Sequence, residues 1–107
     1  MDQPCVSIII PIYNGEKTIN ESLDSLLKQD YINKNFKSFE IIVINDNSTD
    51  NSSTLVKDYF INKNIEIKIL SNKKNLGLAA NYNRGIEISR GVYVITMHQD
   101  VILKENA

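Results

Sequence analysis

Apolar residues along this chain are grouped in short runs, and most of these runs stop abruptly at polar residues. Residues 6–12, 40–45 and 92–97 each form a nearly continuous apolar run of strand length. Such runs are typical of strands that are buried on both faces of a parallel sheet. Residues 65–69 instead alternate isoleucine with charged residues, which indicates a strand with one wetter face at the edge of the sheet.

Helical spacing of apolar residues occurs between these strands. The first helix is predicted over residues 16–29, where Thr18 and Glu21 fit a capping box. The second helix is predicted to be capped by Ser48 or Asp50 and to end near the asparagines that precede the third strand. The residues expected on the inward faces are Ile19, Leu23, Leu26 and Leu27 in the first helix and Leu55, Val56, Tyr59 and Phe60 in the second.

The third helix is predicted to open at Gly77 and to close at Gly91, which would take the C′ position. One side of it is expected to carry Leu78, Tyr82, Ile86 and Ser89. Strands that alternate with helices predict an α/β fold with an open parallel sheet and helices on both faces. Ligands of such sheets bind outside the carboxyl ends of the strands, so the polar strand ends predict a binding site.

Composition narrows the function classes. The 107 residues fit one domain, and a formal net charge of −1 argues against nucleic acid as a partner. No apolar run approaches the roughly 20 residues of a membrane-spanning helix, and the N-terminus lacks a signal-peptide pattern, so a cytoplasmic location is expected. Cys5 has no histidine or second cysteine nearby that would suggest a metal site or a nucleophile.

Asp46 is the strongest candidate for a functional residue, because it directly follows a buried strand. The residue could simply cap the next helix. However, Asn45, Asn47, Ser48 and Thr49 surround it, and one helix needs only one cap. Several hydrogen-bonding groups in one turn are suited to the recognition of a base or a ribose.

Aromatic and metal-ligating residues follow the two other buried strands. Tyr13 could stack on a flat base or could be a tyrosine at the rim of the core. His98 and Asp100 could bind a divalent metal, for which the carboxylate suits Mg²⁺ or Mn²⁺ better than the imidazole does. Neither a P-loop nor a dinucleotide-binding glycine pattern is present around Gly15 or Gly77.

Four motifs together resemble the family 2 glycosyltransferases of the GT-A fold. They are Ser7-Ile-Ile-Ile-Pro-Ile-Tyr-Asn14, Glu40-Ile-Ile-Val-Ile-Asn-Asp-Asn-Ser-Thr-Asp50, Asn75-Leu-Gly-Leu-Ala-Ala-Asn-Tyr-Asn-Arg-Gly-Ile86 and Gly91-Val-Tyr-Val. The resemblance covers nearly the whole chain and implies the strand order 3-2-1-4. It identifies residues 1–107 as the donor-binding part of a transferase domain whose acceptor half is absent.

The resemblance also implies roles for individual residues. Tyr13 would lie against the nucleotide base, and Asp46 would hydrogen-bond to that base. The metal-binding D-x-D motif falls on residues 98–100, where His98 replaces the first acid and Asp100 matches the second. Further donor contacts are implied for Pro11, Asn14, Asn75, Gly77, Asn83 and Gln99. Asn45 and Tyr82 depart from the family, which commonly has an acid and an arginine there.

The implied reaction transfers a sugar from a UDP- or dTDP-sugar to a saccharide or another hydroxyl acceptor, with Mn²⁺ or Mg²⁺ stabilising the departing diphosphate. The base that deprotonates the acceptor is expected beyond Ala107, so this chain alone is expected to be inactive. The usual setting of such proteins is bacterial surface polysaccharide synthesis in the cytoplasm, at the periphery of the inner membrane.

Two further expectations remain open. The alternative function is that of a non-catalytic, doubly wound binding or regulatory module, such as a receiver-like or flavodoxin-like domain. An uncovered sheet edge can pair with a strand of another molecule, so association of the chain with itself is also expected.

Overall fold

The computed structural model describes residues 4–28, 38–61, 63 and 65–100. In chain order, the elements are β1 (Val6–Ile12), α1 (Ile19–Leu27), β2 (Phe39–Asn45), α2 (Ser52–Phe60), β3 (Glu66–Ser71), α3 (Leu78–Ile88) and β4 (Tyr93–Thr96). This confirms the predicted alternation of strands and helices. Residue 29, the predicted end of the first helix, lies outside the described residues, as do residues 62 and 64 near the predicted end of the second.

The strands form one four-stranded parallel sheet in the order β3-β2-β1-β4. The predicted order and the edge position of β3 are therefore confirmed. β4, whose continuous apolar run suggested burial on both faces, lies instead at the opposite edge, where three of its four residues are exposed. β1 and β2 pair along their full lengths, from Val6 opposite Phe39 to Ile12 opposite Asn45. Because the two central strands end at the same level, the residues that follow them lie side by side.

Helices cover both faces of the sheet, as predicted. α1 and α2 pack on one face, where alternate residues of β1 and β2 meet their apolar stripes, and α3 packs on the other. The residues buried in the first cluster are Val6, Ile8, Ile10, Ile12, Ile19, Leu23, Leu26, Ile41, Val43, Val56, Phe60 and Met97. None of the described helices has the length and apolar character needed to span a bilayer.

The inward face of α3 agrees with the prediction only in part, since Tyr82 packs against the sheet as expected. Leu78 and Ile86, which were expected to face inward, are both 48% exposed. The buried residues of this helix are Asn81 and Gly85. A Cβ atom on Gly85 would lie 2.5 Å from Cγ2 of Ile9, so glycine allows the helix backbone to approach the central strand closely.

The observed caps at the starts of the helices agree only in part with those predicted from the sequence. Thr18 makes no side-chain cap hydrogen bond to α1, so the predicted capping box is wrong. The Asp50 carboxylate does accept the Ser52 N–H in the first turn of α2, at 2.9 Å. Gly77 opens α3 as predicted, with a φ of 91° that favours glycine.

The end of α3 also corrects the sequence analysis. Its C-cap is Ser89 in an extended conformation, so Gly91 does not take the C′ position. Gly91 instead lies against β1, where a Cβ atom would be 2.5 Å from the Ser7 backbone nitrogen.

A buried carboxylate connects the elements at the amino end of the sheet. The Glu40 side chain is fully buried, and its Oε2 accepts the Ser7 hydroxyl at 2.5 Å and the Arg90 N–H at 2.7 Å. The Lys68 ammonium lies 3.0 Å from Oε1 and forms an ion pair with it. Burial by itself would raise the pKa of Glu40, but these donors outweigh it and hold the pKa below its ordinary value of 4.5.

We expect Glu40→Gln to lower the free energy of unfolding by about 2 kcal/mol at pH 7, because Lys68 and the N–H of Arg90 lose a charged partner. The folded-state pKa of Glu40 lies below the unfolded-state value. Its contribution is therefore complete above the unfolded-state pKa and is lost as the pH falls through the folded-state pKa. Urea unfolding should show the difference between wild type and variant shrinking below pH 4.5.

Glu66→Gln is the matched control for this measurement. Glu66 pairs with Arg90 at 3.0 Å in a partly exposed position, so its loss should cost less than about 0.5 kcal/mol. Equal losses in the two variants would contradict the structural role of Glu40.

Candidate functional site

A cavity of about 200 Å³ lies at the carboxyl edge of the sheet. Tyr13 follows β1, Asp46 follows β2 and His98 follows β4, so three strands contribute to the cavity. Its lining residues are Pro11, Ile12, Tyr13, Asp46, Asn75, Gly77, Leu78, Asn81, His98 and Gln99. The structure thus brings together the strand ends that the sequence predicted to form a site.

The Asp46 carboxylate is held by the segment that connects β3 to α3. Its Oδ1 accepts the Leu76 N–H at 2.7 Å and the Asn72 side-chain amide at 2.8 Å. Its Oδ2 accepts the Gly77 N–H at 3.0 Å. The carboxylate therefore fixes the start of α3 against the end of β2.

The same contacts determine the charge of Asp46. Burial would raise the pKa of this 3% exposed carboxyl group, but the hydrogen bonds from Leu76, Asn72 and Gly77 outweigh burial and lower the pKa. The group is therefore ionised at neutral pH and can only accept hydrogen bonds. The Asn81 side chain, which also lines the cavity, lowers the pKa of Asp46 as well.

A second layer of polar side chains supports Asp46. The Asn72 amide also donates to Oδ1 of Asn81 at 2.7 Å, and Arg84 donates to Oδ1 of Asn72. Both asparagines are buried. Asn72 was not predicted as a site residue, although it directly follows β3 in the same way that Asp46 follows β2.

Tyr13 lies at the rim of the cavity, with 47% of its surface exposed. Its backbone is held by Gln99, whose Oε1 accepts the Tyr13 N–H at 2.7 Å and whose Nε2 donates to the Tyr13 carbonyl at 3.1 Å. Asn14 then turns the chain with a φ of 50°. The ring remains available while the backbone beneath it is fixed.

His98 and Asp100 contact each other at the mouth of the site. Nδ1 of His98 lies 2.7 Å from Oδ1 of Asp100, and both side chains are about half exposed or more. Asp100 does not line the first cavity. It lines a neighbouring cavity of about 370 Å³, to which Gln99 also contributes. The other residues lining that cavity are Asn14, Gly15, Glu16, Lys17, Thr18 and Asp50.

The donor set around His98 and Asp100 fits a cation only in part. Among the described residues, no group of three or more His, Cys, Asp or Glu side chains is arranged to hold a metal ion. The pair could supply one nitrogen and one oxygen ligand, and its exposure leaves room for further ligands from solvent or substrate.

The remaining candidates from the sequence fall into three groups. Pro11, Asn75 and Gly77 line the first cavity with Tyr13, Asp46 and Gln99. Asn14 lines the second cavity, where its Oδ1 accepts the Thr49 N–H at 2.8 Å. Asn83 is exposed on α3 and lines neither cavity, whereas Asn81 takes the inward position.

The sequence of this chain matches a known protein family. The profile described as "Glycosyl transferase family 2" matches residues 7–107. Glycosyltransferase GlyG of Streptococcus pneumoniae is 36% identical over 101 residues, which are 94% of this chain and 32% of GlyG. WfgD of Escherichia coli, a "UDP-Glc:alpha-D-GlcNAc-diphosphoundecaprenol beta-1,3-glucosyltransferase", is 35% identical over 95% of this chain and 37% of WfgD.

Solved structures show the same fold. S. aureus TarS in complex with UDP-GlcNAc superposes with a TM-score of 0.82 and 31% identity, over 94% of this chain and 28% of the TarS chain. The mannosyltransferase PcManGT of Pyrobaculum calidifontis, in complex with GDP-Man and Mn²⁺, gives a TM-score of 0.80 and 25% identity over 95% of this chain and 29% of that one. The predicted GT-A architecture is confirmed, and the chain spans about a third of the length of these proteins.

We expect Asp46→Asn to lower the free energy of unfolding by about 3 kcal/mol, because one amide nitrogen would face N–H donors that now bind a carboxylate. Urea unfolding at pH 7 measures this loss. Asp100→Asn, which changes an exposed acid at the same edge, should leave the unfolding midpoint unchanged. A similar, small effect of both substitutions would contradict the structural role of Asp46.

Proposed function

Because the chain belongs to glycosyl transferase family 2, we propose that residues 1–107 bind the donor of an enzyme that transfers a sugar from a nucleotide to a saccharide or another hydroxyl acceptor. The observation that carries this proposal is the convergence of Tyr13, Asp46 and His98 on one cavity. Its position outside the carboxyl ends of parallel strands is where α/β sheets bind their ligands.

The cavity holds the base of the donor. Its volume of about 200 Å³ is smaller than the roughly 300–1,000 Å³ of pockets that enclose a whole drug-sized ligand, so it fits one flat ring and part of a sugar. The exposed ring of Tyr13 offers a stacking surface at the rim. Pro11, Asn75 and Gly77 line the same space and form the remaining donor contacts. Asn14 and Asn83 lie outside the cavity, so no contact with the base is proposed for them.

Asp46 lines this cavity as an ionised carboxylate and accepts a hydrogen bond from the base. The cavity of about 200 Å³ fits the single ring of uracil or thymine better than the two fused rings of a purine. The donor is therefore a UDP- or dTDP-sugar, and the complex of TarS with UDP-GlcNAc supports this choice.

His98 and Asp100 hold a divalent cation, Mn²⁺ or Mg²⁺, as two of its ligands. When bound, such an ion supplies positive charge that stabilises the departing diphosphate. The exposure of both side chains at the same edge of the sheet supports this assignment, and contacts with the ion would replace the present contact between Nδ1 and Oδ1. The Mn²⁺ in the PcManGT complex supports it as well. Gln99, which lies between these two residues, is engaged by Tyr13 and does not act as a ligand.

The acceptor is a saccharide of a bacterial surface polysaccharide. The lipid-linked sugar in the name of WfgD supports this assignment. Such acceptors place the reaction in the cytoplasm, at the surface of the inner membrane. No described residue is assigned as the base that deprotonates the acceptor. None of the relatives named above is a receiver-like or flavodoxin-like module, which was the alternative from the sequence.

We expect the chain to bind UDP and dTDP at millimolar or lower concentration and GDP about tenfold more weakly, because the larger purine fits the cavity less well. Isothermal titration calorimetry measures the three affinities. Tyr13→Ala should weaken UDP binding about tenfold through the loss of stacking, whereas the control Tyr13→Phe retains the ring. The absence of binding by all three nucleotides at millimolar concentration would remove the donor-site proposal.

We expect Mn²⁺ to strengthen UDP binding in the wild-type chain and to have no effect in Asp100→Ala, because the variant lacks the carboxylate ligand. UDP binding without Mn²⁺ should be the same in both. Asp58→Ala, which removes an exposed acid from α2, is the control and should keep the effect of Mn²⁺. Retention of the Mn²⁺ effect in Asp100→Ala would place the cation elsewhere.

A further inference from the structure

Gln99 extends the pairing of β1 and β4 beyond the last backbone hydrogen bond between them. That backbone bond runs from the Met97 N–H to the Ile9 carbonyl, at 2.9 Å. Two residues later, the Gln99 side-chain amide replaces a strand backbone: Oε1 accepts the Tyr13 N–H at 2.7 Å, and Nε2 donates to the Tyr13 carbonyl at 3.1 Å. The oxygen and the nitrogen of the Gln99 amide are therefore both paired with the backbone of Tyr13, the residue that follows β1.

The backbone of Gln99 is fixed as well. Its carbonyl oxygen accepts the Ser22 hydroxyl from α1 at 2.6 Å. Gln99 also lies directly between His98 and Asp100, and it lines both cavities. One residue thus connects α1, the Tyr13 backbone and the proposed cation ligands.

Gly15 provides the space for this contact. A Cβ atom at position 15 would lie 2.7 Å from Oε1 and 3.0 Å from Cδ of Gln99. The φ angle of Gly15 is not positive, so the backbone conformation does not require glycine there. The reason for a glycine at this position is the volume that the Gln99 amide occupies.

We infer that Gln99 is a positioning residue that couples the cation pair His98 and Asp100 to the base-stacking residue Tyr13. This inference rests on the proposed function. It replaces the direct donor contact that the sequence resemblance implied for Gln99, because the amide is already paired with Tyr13.

The coupling follows from the position of Gln99 in the chain. A cation held by His98 and Asp100 fixes the residue between them, which favours the state in which its amide is paired with Tyr13. A base stacked on Tyr13 favours the same state. Because the two ligands stabilise one conformation, each should increase the affinity of the other by the same factor.

The first test is amide hydrogen exchange of the full, unliganded chain. Gln99→Met keeps the length of the side chain but removes both hydrogen bonds. The Tyr13 amide should exchange about tenfold faster in the variant, because it loses its acceptor. The Met97 amide, which belongs to the same β1–β4 seam, should keep its protection.

The second test uses uridine, which has no phosphate that could contact the cation. Any effect of Mn²⁺ on uridine affinity must then pass through the protein. In the wild-type chain, Mn²⁺ should strengthen uridine binding about fivefold, the lower end of ordinary coupling between sites. Gln99→Met should abolish the effect, and Lys57→Met, a remote exposed control on α2, should retain it.

Gly15→Ala provides an independent variant. The added methyl group should displace the flexible Gln99 side chain at little cost to folding and leave its chemistry intact. It should therefore accelerate Tyr13 exchange and reduce the Mn²⁺ effect on uridine, as Gln99→Met does.

Several results would overturn the inference. An unchanged Tyr13 amide in Gln99→Met would show that the contact does not hold Tyr13, and exposure of both the Tyr13 and Met97 amides would show general loosening of the sheet. A Mn²⁺ effect on uridine that persists in the variant would exclude the coupling. Failure of both UDP and uridine to bind the wild-type chain would instead overturn the proposed function, and the coupling with it.

Discussion

The carboxyl edge of this protein depends on one buried negative charge. An unpaired carboxylate in the interior is strongly unfavourable, so Asp46 requires donors wherever β2 places it. The donors come from Asn72 and from the N–H groups of Leu76 and Gly77. The position of the first turn of α3 is thus determined by the end of a strand that is distant in sequence, and the cavity lies between the two.

β2 carries a second buried carboxylate at its other end, and the two acids together hold α3. Asp46 binds the segment that precedes the helix, and Glu40 binds the N–H of Arg90, which follows it. The helix itself packs against the sheet through Tyr82 and Ile88, and Gly85 allows its backbone to approach β1 closely. Polar contacts at the two ends of α3 therefore add to this apolar interface.

The location of the site was predictable from the sequence because parallel strands end at one edge of a sheet, and the strand order followed from the family resemblance. The apolar run of β4 was misleading, because this strand lies at an edge and is mostly exposed. The inward positions of Gly85 and Asn81 on α3 were not predictable in this way, since Gly85 faces the sheet for steric reasons and Asn81 for its hydrogen bond. The supporting role of Gln99 was likewise not predictable. The bond from Gln99 to the Tyr13 backbone spans 86 residues, and no local pattern indicates a contact of that range.

Asp46 both holds the start of α3 and lines the cavity, and these two roles limit how the nucleotide preference could be engineered. A library randomised at that position would lose most of its members to misfolding before any selection for substrate could act on them. Leu78 offers a safer starting point: it lines the same cavity and is half exposed, so its replacement reshapes the wall without removing the support of the helix. Substitutions that change the nucleotide preference should therefore be better tolerated in the apolar wall of the cavity than at Asp46.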